Sequence, residues 1–226
     1  MLNKYIEYTN LKNPNRKELE NFIKTAIEKS VYGVVLRYQE LSLAKKLLKN
    51  TDIKLISVAG FPPVSSIKTI ESNPDKYGLL LGLYNKEQRK ELHYILDEGV
   101  DELDIIFPFS WYIQGKLLRC RDFLAGIKKR VKFLKVIIEL GTFVSKEIVL
   151  YEIISILKDS GVDMIKTNSG IIKRDFQTLT FLLSFYRDLL SLPIKASGEI
   201  RLKEEVEFLI NLGVKRIGTS DINQIL

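Results

Sequence analysis

Eight short apolar runs rich in β-branched residues alternate along this chain with longer segments of helical period. The runs occupy residues 4–8, 32–37, 53–60, 102–107, 133–140, 163–167, 192–197 and 214–220. The intervening segments, such as RKELENFIKTAIEK and LKEEVEFLINLG, have one apolar face, and several end in Gly as helices often do. Strands that alternate with helices pair in parallel, so eight such units in 226 residues predict an α/β fold, a single-domain (β/α)8 TIM barrel over residues 1–226.

The connection after the third run departs from this rhythm. From about residue 61 to residue 85 the chain is longer than a usual βα loop, and it carries its own apolar patch from Leu79 to Leu83. Such an extended connection fits a lid, an oligomer contact or a variable surface excursion, and the sequence leaves these three interpretations open.

The residues that the chain lacks exclude several kinds of site. Cys120 is the only cysteine and His93 the only histidine, which excludes an intrachain disulfide, a Cys/His zinc cluster and a Cys/His catalytic pair. No stretch approaches the roughly 18 apolar residues of a membrane span, and the N-terminal MLNKYIEYTN lacks the apolar core of a secretory signal. We therefore expect a cytoplasmic protein with no membrane partner, no metal and no cofactor.

The net charge of +7 and a pI near 9.3 raise the question of nucleic-acid binding. The lysines are spread along the chain and interleaved with glutamates, as in KEQRKEL, which is typical of solvated helix surface. No helix-turn-helix, zinc or aromatic RNA-binding signature accompanies the charge. We expect no nucleic-acid partner, and the positive field favours small anionic substrates instead.

Charged residues occur where barrel strands should be apolar. Parallel barrel strands are buried on both faces, yet the runs contain Asp104, Lys135, Glu139, Lys166 and Lys195. All but Lys135 fall in the second half of their runs, which leads to the C-terminal mouth of a barrel, where active sites lie. A buried ion-pair network without chemistry is the alternative for any one of them, but their convergence on one rim favours an active site.

The chemistry follows from the charges. Three lysines and two carboxylates in one mouth leave one positive charge in excess if all are ionised. Desolvation and a neighbouring ammonium both lower the pKa of a lysine, so one amine can be held partly neutral. A neutral amine adds to a carbonyl and forms an imine, which allows the bond beyond it to break without a metal.

These residues lie in strings that resemble class I deoxyribose-phosphate aldolase, a Schiff-base aldolase family. In the family's order the strings are IEYTNLK, GFP, GVDELDIIFPF, LKVIIELG, GVDMIKTNSG, IKASGEIR and RIGTS. A KT(S/N)(S/T)G strand followed about thirty residues later by a KxxG strand, with a DE(L/V/I)D strand upstream, is a specific combination.

The resemblance implies a role for each matching residue. Lys166 would form the Schiff base, Lys195 would lower its pKa, and Asp104 would order water and relay protons. Lys135 and Glu139 would be a supporting charged pair. The implied reaction is the reversible cleavage of 2-deoxy-D-ribose 5-phosphate to D-glyceraldehyde 3-phosphate and acetaldehyde, so the expected partner is a small aldehyde or a sugar phosphate.

The phosphate site departs from the family pattern. The family usually has two adjacent glycines after the second lysine and paired serines after the last strand, whereas here Glu199 and Asp221 take the second places. Two carboxylates would repel a phosphate unless their side chains point away and only amides face the ligand. An unphosphorylated or otherwise different acceptor is therefore the alternative. The residues expected to bind phosphate are Gly170, Gly198, Arg201, Gly218 and Ser220.

Two further expectations concern the first run and the assembly. Glu7 with Thr9 stands where the family usually shows Asp with Thr, which would alter the recognition of a substrate hydroxyl. Related barrels often form dimers, so a homo-oligomer is compatible with the sequence, which sets no subunit number. A catalytically inactive barrel that serves as a binding module is a third alternative, disfavoured because such a barrel would lose costly buried charges first.

Overall fold

The computed structural model describes residues 1–72, 81–143, 147–173 and 175–226. Eight parallel strands form a closed barrel in which each strand pairs with the next and β8 pairs with β1. The strands are β1 (Ile6–Asn10), β2 (Gly33–Leu36), β3 (Lys54–Ala59), β4 (Glu102–Ile106), β5 (Phe133–Ile137), β6 (Met164–Lys166), β7 (Ile194–Ser197) and β8 (Arg216–Thr219). Each strand overlaps one of the eight apolar runs, so the predicted (β/α)8 TIM barrel is confirmed.

Helices follow the strands. They are α1 (Arg16–Glu28), α2 (Leu41–Leu47), α3 (Val64–Ser72), α4 (Lys86–Glu98), α5 (Phe109–Ile113), α6 (Leu117–Lys128), α7 (Glu147–Asp159), α8 (Phe176–Phe185) and α9 (Lys203–Asn211). Helix α1 begins where it does because Asn15 and Glu18 form a reciprocal capping box, with N–H···O distances of 3.0 and 2.8 Å. In the described parts of the chain, no helix has the length and apolar character needed to cross a bilayer.

The strand register brings the charged strand residues together. Asp104 on β4 lies opposite Lys135 on β5, and Lys166 on β6 lies opposite Lys195 on β7. Side chains alternate along a strand, and inward-facing positions of neighbouring barrel strands pack in layers. The barrel closure therefore places these four side chains in one interior region.

The connection at 61–85 begins with helix α3, and its residues 73–80 lie outside the described part of the chain. At its end Leu81 is fully buried, and the amide of Gly82 donates a hydrogen bond of 3.1 Å to the carbonyl of Gly60. The hydroxyl of Tyr84 donates to the carbonyl of Ile106. The described end of the predicted apolar patch thus packs into the core. A lid role for the remainder and a single domain over 1–226 stay predictions.

Gly82 provides a test of this packing. Its φ of +65° lies in the left-handed region, and a Cβ there would lie 2.2 Å from the carbonyl oxygen of Phe107. We expect Gly82→Ala to lower the free energy of unfolding by about 2–4 kcal/mol in urea denaturation. The control is Gly126→Ala in α6, where a Cβ meets no atom within 4 Å and should raise the free energy of unfolding by about 0.5–1 kcal/mol. Equal effects of the two substitutions would contradict the packing.

Candidate active site

Three lysines and three carboxylates form a buried ion cluster inside the barrel. Every one of the six side chains is 6% exposed or less. Burial of this many charges is tolerated only when each charge is paired. The members of this ion cluster are Glu7, Glu102, Asp104, Lys135, Lys166 and Lys195.

Asp104 lies at the centre of the ion cluster. Its Oδ2 accepts hydrogen bonds from the Nζ of Lys166 at 3.0 Å and from the Nζ of Lys195 at 2.6 Å. Its Oδ1 accepts from the Nζ of Lys135 at 3.1 Å. One carboxylate therefore joins three strands, and a single oxygen links the two lysines that the sequence predicts as partners.

Glu7 and Glu102 are the other two carboxylates of the ion cluster. The Nζ of Lys135 lies 3.0 Å from Oε1 of Glu7 and 2.5 Å from Oε2 of Glu102, and Lys195 also donates to Glu7. The hydroxyl of Tyr32 donates to Glu102. Within the described ranges, no group of three His, Cys, Asp or Glu side chains has the arrangement of a metal site.

The pairing fixes the charge state of two members of the ion cluster. Burial alone raises the pKa of Asp104, but the ammonium groups of Lys135, Lys195 and Lys166 outweigh it and hold that pKa well below its usual range. Burial alone lowers the pKa of Lys135, but Asp104, Glu7 and Glu102 raise it well above the usual value. Asp104 is thus an anion and Lys135 a cation over the whole physiological pH range.

Lys166 behaves differently. Burial, together with the charge of Lys195, lowers the pKa of Lys166 from 10.5 to about 8, against the opposing pull of Asp104. At pH 7 roughly a tenth of the Lys166 side chains then carry a neutral amine. A neutral amine is a nucleophile toward carbonyl carbon.

A cavity of about 390 Å³ opens at the C-terminal ends of the strands. Among the described residues, Lys166 is the one member of the ion cluster that lines it. Thr9 and the five residues expected to bind phosphate also line it, namely Gly170, Gly198, Arg201, Gly218 and Ser220. Lys166 and the expected phosphate site therefore share one cavity.

The two acidic departures from the family pattern are both engaged. The carboxylate of Glu199 lies 2.5 Å from Nη2 of Arg201. Asp221 does not line the cavity, and its Oδ1 accepts a hydrogen bond from the amide of Asn223 at 3.1 Å. Glu199 adopts a φ of +50°, in the left-handed region that glycine occupies without strain. Neither carboxylate is left unpaired beside the expected phosphate site.

Gly218 lines the cavity and also lies close to the side chain of Lys195. A Cβ at this position would lie 3.0 Å from Cε of Lys195 and 3.1 Å from Cβ of Ser197. Because glycine has no side chain, the side chain of Lys195 has space to extend past Gly218 toward Asp104.

Glu139 lies beyond the end of strand β5, outside the residues that pair with β6. Strand β5 ends at Ile137, and Glu139 has a φ of +46°, so the strand alternation from Lys135 does not continue to it. Its Oε1 accepts a hydrogen bond from the amide of Ser169 at 2.6 Å, and it supports the loop after β6.

The sequence-based interpretation missed Glu102, and it named Glu7 as a supporting residue without its partners. Glu102 lies two residues before Asp104 and therefore on the same face of β4, a signal that the ELDIIF run contains. Glu7 was expected near a substrate hydroxyl, but it pairs with Lys135 and Lys195. With these two carboxylates the ion cluster is balanced, so the expected positive surplus is wrong.

Comparisons with known proteins agree with the resemblance. No family model matches the chain. The chain is 29% identical over 224 residues to the deoxyribose-phosphate aldolase of Treponema denticola, covering 97% of this chain and 95% of that one. A solved aldolase named QR15 superposes with a TM-score of 0.77 at 26% identity, covering 99% and 93%. The deoxyribose phosphate aldolase of Aeropyrum pernix, described as a unique tetramer, has a TM-score of 0.73 at 24% identity, covering 99% and 88%.

The lowered pKa of Lys166 can be measured by reductive methylation with formaldehyde. Only the neutral amine reacts, so the rate at Lys166 should rise with pH and level off above a midpoint of about 8. Peptide mapping by mass spectrometry between pH 6 and pH 10, about two units either side of the midpoint, follows this residue separately from surface lysines. A midpoint at the ordinary lysine value of 10.5 would contradict the burial and charge argument.

Proposed function

We infer that the protein is a Schiff-base aldolase of the deoxyribose-phosphate aldolase type, a carbon–carbon lyase. The observation that carries this inference is a buried amine, Lys166, with a pKa of about 8 at the inner end of an open cavity. The chain's similarity in sequence to the deoxyribose-phosphate aldolase of Treponema denticola, and in fold to the aldolase QR15, supports the same reaction class. The reaction that we assign is the reversible cleavage of 2-deoxy-D-ribose 5-phosphate.

In this reaction the Nζ of Lys166 attacks the aldehyde carbon of the open-chain sugar and forms a carbinolamine. Loss of water gives a protonated imine at C1, which accepts the electron pair of the C2–C3 bond as that bond breaks and the C3 hydroxyl loses its proton to become the carbonyl of the product. D-Glyceraldehyde 3-phosphate leaves, and the enamine of acetaldehyde stays on Lys166. Protonation of the enamine carbon and addition of water release acetaldehyde and restore the amine.

Asp104 and Lys195 serve the proton transfers of these steps. Oδ2 of Asp104 contacts both amines, so it can pass a proton from Lys195 to the carbinolamine oxygen as water leaves. The Lys195 charge also favours the neutral form of Lys166. Ion pairs hold Asp104 and Lys195 in place: Asp104 pairs with Lys135, and Lys195 pairs with Glu7. Lys135 in turn pairs with Glu7 and Glu102.

The phosphorylated acceptor is proposed from the cavity wall. The loops after β6, β7 and β8 present Gly170, Gly198 and Ser220 to the cavity, and barrel phosphate sites are usually built from the last loops. Pairing of Glu199 with Arg201 removes much of the repulsion that its carboxylate would exert on a phosphate. The homo-oligomer expected from the sequence stays a prediction, which light scattering can measure.

Borohydride trapping tests the Schiff base. Acetaldehyde followed by borohydride should add the mass of an ethyl group to Lys166, because reduction fixes the imine as a stable amine. Lys166→Arg should remove both the adduct and turnover, since a guanidinium does not deprotonate to an amine.

The matched control for trapping is Lys24→Arg, at an exposed lysine that pairs with Glu28 on α1. This variant should keep wild-type trapping and turnover. Label found only on surface lysines, or full turnover in Lys166→Arg, would remove the aldolase proposal.

Glu199→Gly tests the phosphate acceptor. The substitution frees the guanidinium of Arg201 and suits the left-handed backbone, so kcat/KM for D-glyceraldehyde 3-phosphate should rise about 3- to 10-fold. Unphosphorylated glyceraldehyde is the internal control, for which kcat/KM should not change. A wild-type enzyme that prefers glyceraldehyde, with no gain for the phosphate in Glu199→Gly, would favour the unphosphorylated acceptor instead.

A further inference from the structure

Glu102 belongs to the ion cluster but takes no part in the proton transfers proposed above. It is the first residue of β4, and Asp104 follows two residues later on the same face of that strand. The side chain of Glu102 is only 6% exposed, and it does not line the cavity. Any effect of Glu102 on the reactive amine therefore passes through other members of the ion cluster.

The two carboxylate oxygens of Glu102 have different partners. Its Oε2 forms an ion pair of 2.5 Å with the Nζ of Lys135, and its Oε1 accepts a hydrogen bond from the hydroxyl of Tyr32. The guanidinium carbon of Arg216 lies 3.8 Å from the centroid of the Tyr32 ring, a cation–π contact that restrains the ring. Tyr32 precedes β2 and Arg216 begins β8, so these contacts fix the carboxylate from the N-terminal end of the barrel.

Lys135 connects Glu102 to the rest of the ion cluster. Its Nζ lies 2.5 Å from Oε2 of Glu102, 3.0 Å from Oε1 of Glu7 and 3.1 Å from Oδ1 of Asp104. Attraction between opposite charges weakens with distance, so the shortest of these contacts neutralises the largest share of the Lys135 charge. Asp104 is thereby left to bind Lys166 through its other oxygen.

Glu102 also brings the formal charge of the ion cluster to zero, because it is the third carboxylate beside three lysines. Without it the same interior would hold one excess positive charge, and a positive charge nearby favours the neutral form of a lysine. The charged and titratable groups along this path are Asp104, Lys195 and Glu7 around Lys166, and Lys135, Tyr32 and Arg216 around Glu102 and its tyrosine.

We propose that Glu102 is a positioning residue of the candidate active site, which acts through Lys135 and sets the pH at which the amine of Lys166 becomes nucleophilic. The charge of Glu102 keeps that pH higher than the remaining five members of the ion cluster would set it. This effect on the amine can be measured without turnover, whereas its consequence for catalysis rests on the proposed aldolase function.

A double-mutant cycle between Glu102 and Lys135 tests the proposal, with the midpoint of reductive methylation at Lys166 as the readout. Glu102→Gln removes one negative charge and should lower the midpoint by about one pH unit, which raises the neutral fraction of Lys166 at pH 7 several-fold. Lys135→Met removes one positive charge and should raise the midpoint by a similar amount. The double variant is balanced again, so its midpoint should return to within a few tenths of a unit of the wild-type value.

The control is Glu28→Gln, the same change at an exposed glutamate that pairs with Lys24, and it should leave the midpoint unchanged. A Glu102 that serves stability alone would alter the free energy of unfolding and leave the midpoint of Lys166 in place. Equal midpoints in the wild type and Glu102→Gln would therefore overturn the proposal.

Glu102→Gln leaves Lys135 with less compensation and can lose its fold, which thermal melting detects. The double variant lacks that excess charge, so the comparison then passes to the double variant against Lys135→Met, with a midpoint about one unit lower expected in the double variant. Equal midpoints in these two proteins would overturn the proposal as well. Absence of an acetaldehyde adduct on Lys166 would instead remove the aldolase function, and the midpoints would still test the role of Glu102.

Discussion

The carboxylate of Asp104 is the interaction on which the interior of this barrel depends. It is fully buried and contacts three ammonium groups, at distances of 2.6 to 3.1 Å, from three neighbouring strands. Each of these lysines has an ion pair with this carboxylate, which offsets part of the several kcal/mol that the desolvation of an ammonium costs. The same carboxylate would be equally costly without the lysines. The charges inside the barrel are therefore interdependent, and each constrains the position of the others.

Two lysines that share one carboxylate oxygen acquire different properties from their surroundings. Among the described residues, Lys166 pairs with Asp104 and lines the cavity, whereas Lys195 pairs with both Asp104 and Glu7. Burial and the charge of Lys195 lower the pKa of Lys166. The barrel register determines this division, since it sets the two lysines side by side at the ends of β6 and β7.

The sequence predicts the barrel well because strand and helix periods are properties of local sequence, and a charge inside a buried run is conspicuous. The sequence predicts less well the direction of side chains that follow the end of a strand. Side-chain alternation along the fifth run predicted that Glu139 lies on the same face as Lys135. Strand β5 ends at Ile137, however, and Glu139 itself has a left-handed φ. Arg37 ends its run in a position where a solvated loop charge is equally compatible with the sequence, and only the fold shows its burial. The partners of Glu7 lie on strands far along the chain, and pattern alone does not reveal them.

The ion cluster and the cavity wall are built from different parts of the molecule. Lys166 and its charged partners are strand residues, or lie next to one, while the cavity wall consists largely of residues that follow the strands. The loops are not equally free to vary, however. A Cβ at Gly218 would lie 3.0 Å from Cε of Lys195 and 3.1 Å from Cβ of Ser197, so a side chain there requires these neighbours to shift by a few tenths of an ångström. Glu199 pairs with Arg201 and is not a member of the ion cluster, so a substitution at Glu199 leaves the hydrogen bonds of Lys166 and Lys195 to Asp104 in place.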